Sequence, residues 1–262
     1  MNQLFFNGIK FFSDNNALLS LSGTASASSA AANAGDAFNG NRAFGWTSEG
    51  ENNDSITSYI ERDFGTDLSG DTIVIANHNL KAFAIKINGS YIQNYCESTK
   101  RNFSVITFPA RSDIRTIRIE TAKTETANEE KHIGEIMLLT TIGQFEDPQK
   151  VTNSLVLEQG NLKLQNGKHF IFNCGESWAF TIEIFALAQC DIDLLQKLRD
   201  LGTPFHIWPC GGTEVQFAYN FRPYFFNDFF KVAFSGDSKP NLKEGLYYGT
   251  GLRDTIKLVE VE

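Results

Sequence analysis

Histidines and cysteines, which often bind metals or act as catalytic groups, are few in this 262-residue chain, and they are widely spaced. The histidines and cysteines are His78, His132, His169, His206, Cys96, Cys174, Cys190 and Cys210. No histidine has a second histidine or a cysteine at metal-site spacing, and no two cysteines form a C-x-x-C pair. The spacing argues against a zinc site and a dense disulfide framework. It favours buried free thiols in a reducing compartment.

Motifs for covalent catalysis or nucleotide binding are also missing. The sequence has no G-x-S-x-G, no P-loop and no G-x-G-x-x-G after a predicted strand. The neighbouring acids Glu129 and Glu130 lie in a charged run, which is typical of a solvated surface. A hydrolase stays open as an alternative, because catalytic carboxylates meet in space and not in sequence. We predict that the protein is not an enzyme.

Composition excludes some partners and indicates the fold class. The formal net charge of −8 and the pI of about 5.1 argue against binding to nucleic acid, which needs clustered Lys and Arg. The 42% of hydrophobic residues suffices for a packed core, and 23 phenylalanines against two methionines favour sheets. The first residues lack a signal-peptide pattern, and no apolar run is long enough to span a membrane. We expect a soluble protein made in the cytosol.

Short apolar segments separated by turn residues dominate the first half of the chain. They predict strands at 58–64, 72–76, 82–87, 90–95, 103–108, 114–119 and 133–139. Asn7-Gly8 lies between two apolar pieces and predicts a hairpin over 4–12. We expect the small residues of 23–38 to form an irregular surface loop and the polar run 122–131 to be a solvated loop. This pattern is typical of a sandwich or barrel.

Residues 20–140 resemble the discoidin-type (F5/8 type C) galactose-binding-like jelly roll. The segments that carry the resemblance are DAFNGNRAFGW, a strand ending in DFG, IANHNLK, and the pair IRTIRI and IGEIMLL. In that family an aspartate-led loop runs into a tryptophan and a closing strand carries I-x-E-I; here these positions are Asp36, Trp46 and Glu135. The segment from His78 to Leu80 is similar to versions of the domain in phage tail proteins.

The resemblance implies a calcium site. Family members often hold a structural calcium in the loop before the tryptophan, and hard oxygen ligands suit that ion. The implied ligands here are Asp36, Asn39, Asn41 and Glu135. Arg42, Ala43 and Phe44, however, occupy the positions where a threonine commonly precedes the tryptophan in the family. A metal-free loop in which Arg42 pairs with Asp36 is therefore the alternative, and we expect no other cofactor.

The resemblance also implies a glycan site, since many such modules bind sugars. The implied site residues are Arg42, Trp46, Glu49 and Asn53, with the ring of Trp46 as the aromatic platform. The alternative is that Trp46 packs in the core beneath the loop. His78 is expected to be a turn residue that bonds its own backbone.

The second half of the chain has a different pattern. A polar crossing with a proline predicts a boundary that divides the chain into domains 1–145 and 146–262. Residues 176–186 alternate as in a strand, and Asn166-Gly167 predicts a hairpin turn. Residues 190–201 have helical spacing and end at Gly202. We predict a mainly β protein in which a jelly-roll sandwich precedes a β-rich domain with one flanking helix.

That second domain resembles the tube-type domain of phage tail proteins, including distal-tail baseplate hub proteins. The resemblance implies a structural component of a tail or baseplate that forms a homo-oligomeric ring and contacts other tail proteins. It implies assembly in the host cytoplasm, a final place in the virion tail, and contact with host-surface glycans. The alternative function is a carbohydrate-binding module or receptor-recognition protein without a ring-forming role.

Overall fold

The computed structural model describes residues 4–6, 9–13, 23–97, 102–145, 149–163, 169–186, 189–201, 204–208, 229–235 and 252–261. The described strands are β1 (Leu4–Phe6), β2 (Lys10–Ser13), β3 (Thr24–Ala27), β4 (Trp46–Thr47), β5 (Ser58–His78), β6 (Leu80–Ile87), β7 (Ser90–Glu97), β8 (Phe103–Thr124), β9 (His132–Leu139), β10 (Thr141–Gln144), β11 (Gln149–Lys163), β12 (His169–Ala186), β13 (Phe205–Trp208), β14 (Phe230–Phe234) and β15 (Leu252–Glu260). A 3₁₀ helix spans Ala31–Phe38, and the α-helix α1 spans Gln189–Asp200.

The chain divides into two compact units. The first unit is Asn15–Thr141, and the second unit joins Met1–Asp14 to Ile142–Glu262. Both consist mainly of strands, which confirms the predicted mainly β fold class. Within the described residues, no helix is long and apolar enough to cross a membrane.

Two long, bent strands build the first unit as a sandwich. Residues 58–63 of β5 pair with 116–121 of β8, and after register shifts 72–76 pair with 103–107. The first half of β5 also pairs with β3, and the second half with β9. One layer is therefore β3-β5-β8-β6-β7 and the other is β4-β9-β5-β8. The strands predicted at 58–64 and 72–76 are these two halves of β5.

The apolar sides of both layers share one core. Its members from the layers and the helical segment include Phe38, Trp46, Ile60, Phe64, Ile73, Phe83, Ile117, Ile133 and Ile136. Burial alternates along the first half of β5, as the pleat of a strand with one wet face requires.

Two segments of the first unit differ from the prediction. The small residues expected to be irregular form the 3₁₀ helix, which buries Ala34, Ala37 and Phe38 because small side chains allow close approach to the sheet. The run expected to be a solvated loop begins inside β8 and buries both Thr124 and Lys131. A polar sequence does not exclude burial where the neighbouring loops supply hydrogen-bond partners.

The second unit is one sheet with a helix on it. The strand order is β1-β11-β12-β15-β14-β13-β2-β10, and the paired strands with a described register are antiparallel. Helix α1 begins and ends within one residue of the predicted 190–201. Its buried residues Leu194, Leu195 and Leu198 join a core that contains Phe11, Phe145, Phe180, Ile182, Ile184, Phe205 and Ile256.

The predicted N-terminal hairpin over 4–12 is wrong. Strand β1 pairs with β11, and β2 pairs with β13, so the two strands lie at different places in the sheet. Pairing with these distant strands buries Phe11 and Phe12 completely, which an isolated two-stranded hairpin cannot do. Asn7-Gly8 and the predicted turn at Asn166-Gly167 lie outside the described residues. Residues Met1–Asp14 belong to the second unit, although the domain prediction placed them in the first.

Cys190 is a thiol outside any disulfide, but it is exposed at the start of α1 and not buried as expected. The side chains of the other cysteines lie outside the described part of the structure.

Candidate functional site

Four loops meet at one end of the sandwich. We call their surface the loop face and define it by residues 39–45, 48–57, 77–79 and 125–131. Asparagine side chains join the loops: Asn77 donates from Nδ2 to the carbonyl of Arg42 at 2.8 Å, and Asn79 donates from Nδ2 to the carbonyl of Glu130 at 2.8 Å. Hydrogen bonds therefore connect the loops of the loop face. Proteins commonly place binding sites on loops that are held in position by a scaffold of strands.

The loop 39–45 holds an aromatic ring in solvent. Phe44 is 66% exposed, more than any other large hydrophobic side chain in the described residues. The loop is stiffened from within, because Asn39 Oδ1 accepts the Asn41 N–H at 2.8 Å and Asn41 Oδ1 accepts the Ala43 N–H at 3.0 Å. The next residue, Gly45, lies so close to the backbone of β9 that a Cβ would collide with it. The position of Phe44 is thus set by the fold.

Arg42, two residues before Phe44 in the chain, forms an ion pair. Arg42 Nε is 3.1 Å from Glu135 Oε2, and the two side chains are 34% and 7% exposed. The sequence-based alternative expected Arg42 to pair with an acid, but it named Asp36; the partner is Glu135. The pair ties the loop 39–45 to β9.

Replacing Arg42 with methionine is expected to destabilise the first unit by about 1–2 kcal/mol, because the buried Glu135 carboxylate loses its cation. The Arg42→Met/Glu135→Gln double variant removes both charges and is expected to recover at least half of that loss. Urea unfolding of the three proteins tests this. Equal losses in the single and double variants would show that the ion pair does not stabilise the loop.

Three of the four residues implied as calcium ligands already have other partners. The Asn39 and Asn41 oxygens accept backbone N–H groups, and the Glu135 carboxylate is paired with a guanidinium, which would repel a bound cation. No group of three His, Cys, Asp or Glu side chains in the described residues lies close enough to hold a metal ion. Calcium at these positions stays a prediction without support from their contacts.

The residues implied as the glycan site divide into two groups. Trp46 is fully buried, and its Nε1 donates to the carbonyl of Ser29 at 3.0 Å. Its ring therefore packs in the core, as the alternative interpretation proposed, and is not exposed as a platform. Glu49 and Asn53 are exposed on the loop 48–57 of the loop face. The sequence interpretation treated Phe44 only as a departure from the family pattern. An aromatic residue inside a loop of turn residues was the signal that could have identified Phe44 as a site residue.

The loop 48–57 is fixed by an acid and two serines. Glu51 Oε2 accepts hydrogen bonds from the hydroxyls of Ser28 at 2.8 Å and Ser29 at 3.1 Å. Burial raises the pKa of Glu51, but the serine hydroxyls and the charge on Lys131 outweigh it, so the pKa lies below its ordinary value. Glu51 is therefore ionised at neutral pH and acts as an anchor.

His78 is a buried, neutral histidine beneath the loop face. Its Nδ1 accepts the Leu80 N–H at 3.1 Å, and its Nε2 is 2.9 Å from Ser104 Oγ. Because Nδ1 accepts, the proton is on Nε2. Burial lowers the pKa of His78 to about 4, with a smaller effect from the charge of His132. The expectation that His78 bonds its own turn is confirmed.

Comparison with protein-family models found no match, and comparison with curated proteins found none either. Solved structures do resemble about half of this chain. One is the family 32 carbohydrate-binding module of NanJ from C. perfringens in complex with galactose, with 18% identity, 49% of this chain and 98% of that chain covered, and a TM-score of 0.40.

Two further similarities are of the same kind. The chitosan-binding module 1 of the chitosanase/glucanase from Paenibacillus sp. IK-5 has 20% identity, covers 46% of this chain and 96% of its own, and has a TM-score of 0.36. The lectin domain of lectinolysin complexed with Lewis B antigen has 16% identity, covers 49% and 98%, and has a TM-score of 0.37. At this level of similarity, function has to be argued from the residues of this chain. The predicted tail role is not addressed by these three structures and stays a prediction.

Proposed function

We propose that the first unit is a carbohydrate-binding module whose ligand contacts the loop face at Phe44. The observation that carries the proposal is the ring of Phe44, which is 66% exposed on a loop crosslinked to its neighbours. An exposed phenylalanine on the surface is common by itself. A phenylalanine held in solvent by a stiffened loop supports a role in binding, because the rigid loop removes the entropic cost of ordering it on contact.

The chemistry of the surrounding side chains suits a sugar. One face of a pyranose ring is lined by C–H groups, which pack against the flat, electron-rich face of an aromatic ring. Its hydroxyls need polar partners at the edge of that platform. Arg42, Glu49 and Asn53 provide a guanidinium, a carboxylate and an amide on the same loop face, so three of the four residues named from sequence keep a place in the proposed site.

Substitution of Phe44 by alanine is expected to weaken glycan binding at least tenfold, or about 1.4 kcal/mol, without a change in melting temperature. A glycan array on the full-length protein identifies a ligand, and calorimetric titration then measures the dissociation constant. Tyr91→Ala is the matched control, because Tyr91 is the other exposed aromatic of the described residues (48%) and lies on β7, away from the loops that define the loop face.

Two outcomes would contradict the proposal: a folded wild-type protein that binds no glycan, or a Phe44→Ala variant with unchanged affinity. Phe44→Trp, which retains and enlarges the platform, is expected to bind at least as tightly as the wild type.

A second function is proposed for the second unit, namely assembly into a ring as a tail or baseplate component. The supporting observation is a two-stranded ribbon made by β11 and β12. On β12, residues 179–186 pair with β15. On β11, residues 149–151 pair with β1. Within the described residues, strand pairing joins 157–163 and 169–176 to each other. In this proposal the outer edges of the ribbon pair with the strands of another copy of the chain.

In this proposal, copies of the chain join edge to edge in a closed ring, bind other tail proteins, assemble in the host cytoplasm and end in the virion tail. Light scattering over a concentration series measures the solution mass. A discrete ring supports the proposal, and a strict monomer at all concentrations counts against it. The glycan proposal stands or falls separately, because it concerns the first unit, and neither proposal includes catalysis.

A further inference from the structure

Lys131 is fully buried although it follows a run of polar and acidic residues. Its backbone is bonded twice to Ser48: the Ser48 N–H donates to the Lys131 carbonyl at 2.9 Å, and the Lys131 N–H donates to Ser48 Oγ at 2.9 Å. These bonds fix the lysine directly beneath the loop 48–57, so its side chain enters the space that the loop encloses.

The ammonium group is held by backbone oxygens of that loop. Nζ donates to the carbonyl of Glu51 at 2.6 Å and to the carbonyl of Asn53 at 2.9 Å. Carbonyl oxygens are hard ligands, and a loop that turns two of them inward makes a cage suited to a cation. Two carbonyls from residues so close in sequence point at the same atom only if the loop curls around it.

Negative charge surrounds the cage. The carboxylates of Asp54 and Glu51 both attract the ammonium, although burial acts against its charge and the pKa of Lys131 lies below its ordinary value. Asp54 is itself fixed, because its Oδ1 accepts from Thr124 Oγ1 at 3.1 Å and its N–H donates to Asn128 Oδ1 at 3.2 Å. The hydrogen bonds of Lys131 and Asp54 thus join the loop 48–57 to the segment 124–131.

We propose that Lys131 is the built-in cation of the loop 48–57, which holds this part of the loop face in shape without a bound metal ion. Three of the four implied calcium ligands have other partners. In the loop 48–57, a different loop, an amino-acid side chain supplies the positive charge to inward-pointing carbonyls. The inference does not depend on the identity of the ligand, because it concerns the loop and not the sugar.

A simpler role is that the lysine only fills space with its aliphatic stem. Lys131→Met separates the two roles, since methionine keeps an unbranched stem but donates no hydrogen bond. We expect Lys131→Met to lower the melting temperature of the 262-residue protein by roughly 5–10 °C, because two partly buried carbonyls lose their donor. A melting temperature equal to that of the wild type would overturn the proposal.

Lys131→Ala gives the more specific test, because it empties the cage. Methylammonium chloride is expected to restore at least half of the lost melting temperature in this variant, whereas equal concentrations of sodium chloride or tetramethylammonium chloride are not. Tetramethylammonium is the key control, since it carries the charge but has no N–H to donate. Equal effects of all three salts, or no effect of any, would overturn the proposal.

The wild-type protein supplies a test that needs no variant to fold. Its melting temperature is expected to be the same in EDTA and in millimolar calcium chloride. A saturable rise with calcium would show that a bound metal ion stabilises the protein, and would overturn the claim that the loop face keeps its shape without one. Loss of glycan binding in Lys131→Met with retained folding would support the role of the loop, while absence of any glycan ligand would affect only the proposed function.

Discussion

Substitution of Trp46 by alanine is expected to destabilise the first unit by roughly 3–5 kcal/mol. The indole is fully buried in the core that both layers share, so its removal leaves a cavity as large as any single substitution in this unit makes. It also leaves the carbonyl of Ser29 without the Nε1 donor at 3.0 Å. A glycan platform, by contrast, would be exposed, and its loss would affect binding and not stability.

Phe44, in the loop directly before Trp46, provides the matched control. Phe44→Ala removes an aromatic ring two residues away, but that ring is 66% exposed, so the expected change in the free energy of unfolding is within about 0.5 kcal/mol. Scanning calorimetry of the full-length variants measures both. A Trp46→Ala protein as stable as the wild type, but weakened in glycan binding, would show that Trp46 acts at the surface and that its packing in the core is wrong.

Acid is expected to weaken the first unit through His78. The folded state holds this side chain neutral, with a pKa of about 4 against 6.5 for an unperturbed histidine, so the unfolded chain binds the extra proton more readily. Stability is therefore fully present above pH 6.5, falls as the pH decreases from 6.5 to about 4, and stops changing below that range. The contribution lost is about 3 kcal/mol, since each pKa unit corresponds to 1.36 kcal/mol.

The loss of stability on protonation of His78 has a local cause. A proton on Nδ1 removes the acceptor of the Leu80 N–H and places a charge in a site that is 5% exposed. His132 adds to the same trend, because burial lowers its pKa as well. The turn 77–79 that joins loops of the loop face would be the first part to loosen.

The acid effect is measured as a difference between two proteins. His78→Gln cannot titrate, so the gap between its free energy of unfolding and that of the wild type is expected to narrow by about 3 kcal/mol between pH 7 and pH 4. Carboxylates elsewhere titrate in both proteins, and their effects cancel. Parallel pH profiles for the two proteins would mean that His78 is not held neutral by the fold.

Strand and helix positions followed from local patterns. The halves of β5 and β8 alternate between core and solvent, and the core positions of α1 recur at helical spacing, so each segment reveals its own structure through the period of its apolar residues. The predicted hairpin of β1 and β2 failed because a turn signal states only that two strands can meet. The sheet offered both strands distant partners that bury more surface.

The site shows the same division. The family resemblance pointed to the loop before Trp46 and to Arg42, Glu49 and Asn53 as the site. It did not distinguish Trp46 from Phe44, since the two aromatics are two residues apart in the chain and their exposure depends on how this segment meets β9. Nor did it reveal the pairing of Arg42 with Glu135, which are 93 residues apart.

The sequence alone determined that this is a mainly β protein with a sandwich followed by a β-rich domain carrying one helix, because hydrophobic period and turn residues act over short distances along the chain. Only the tertiary structure decided which aromatic faces solvent, which acid binds Arg42 and that Lys131 is buried among carbonyls. These features depend on contacts between loops that are far apart in sequence. Their burial and charge pairing arise only when the two layers close and bring those loops together at one end.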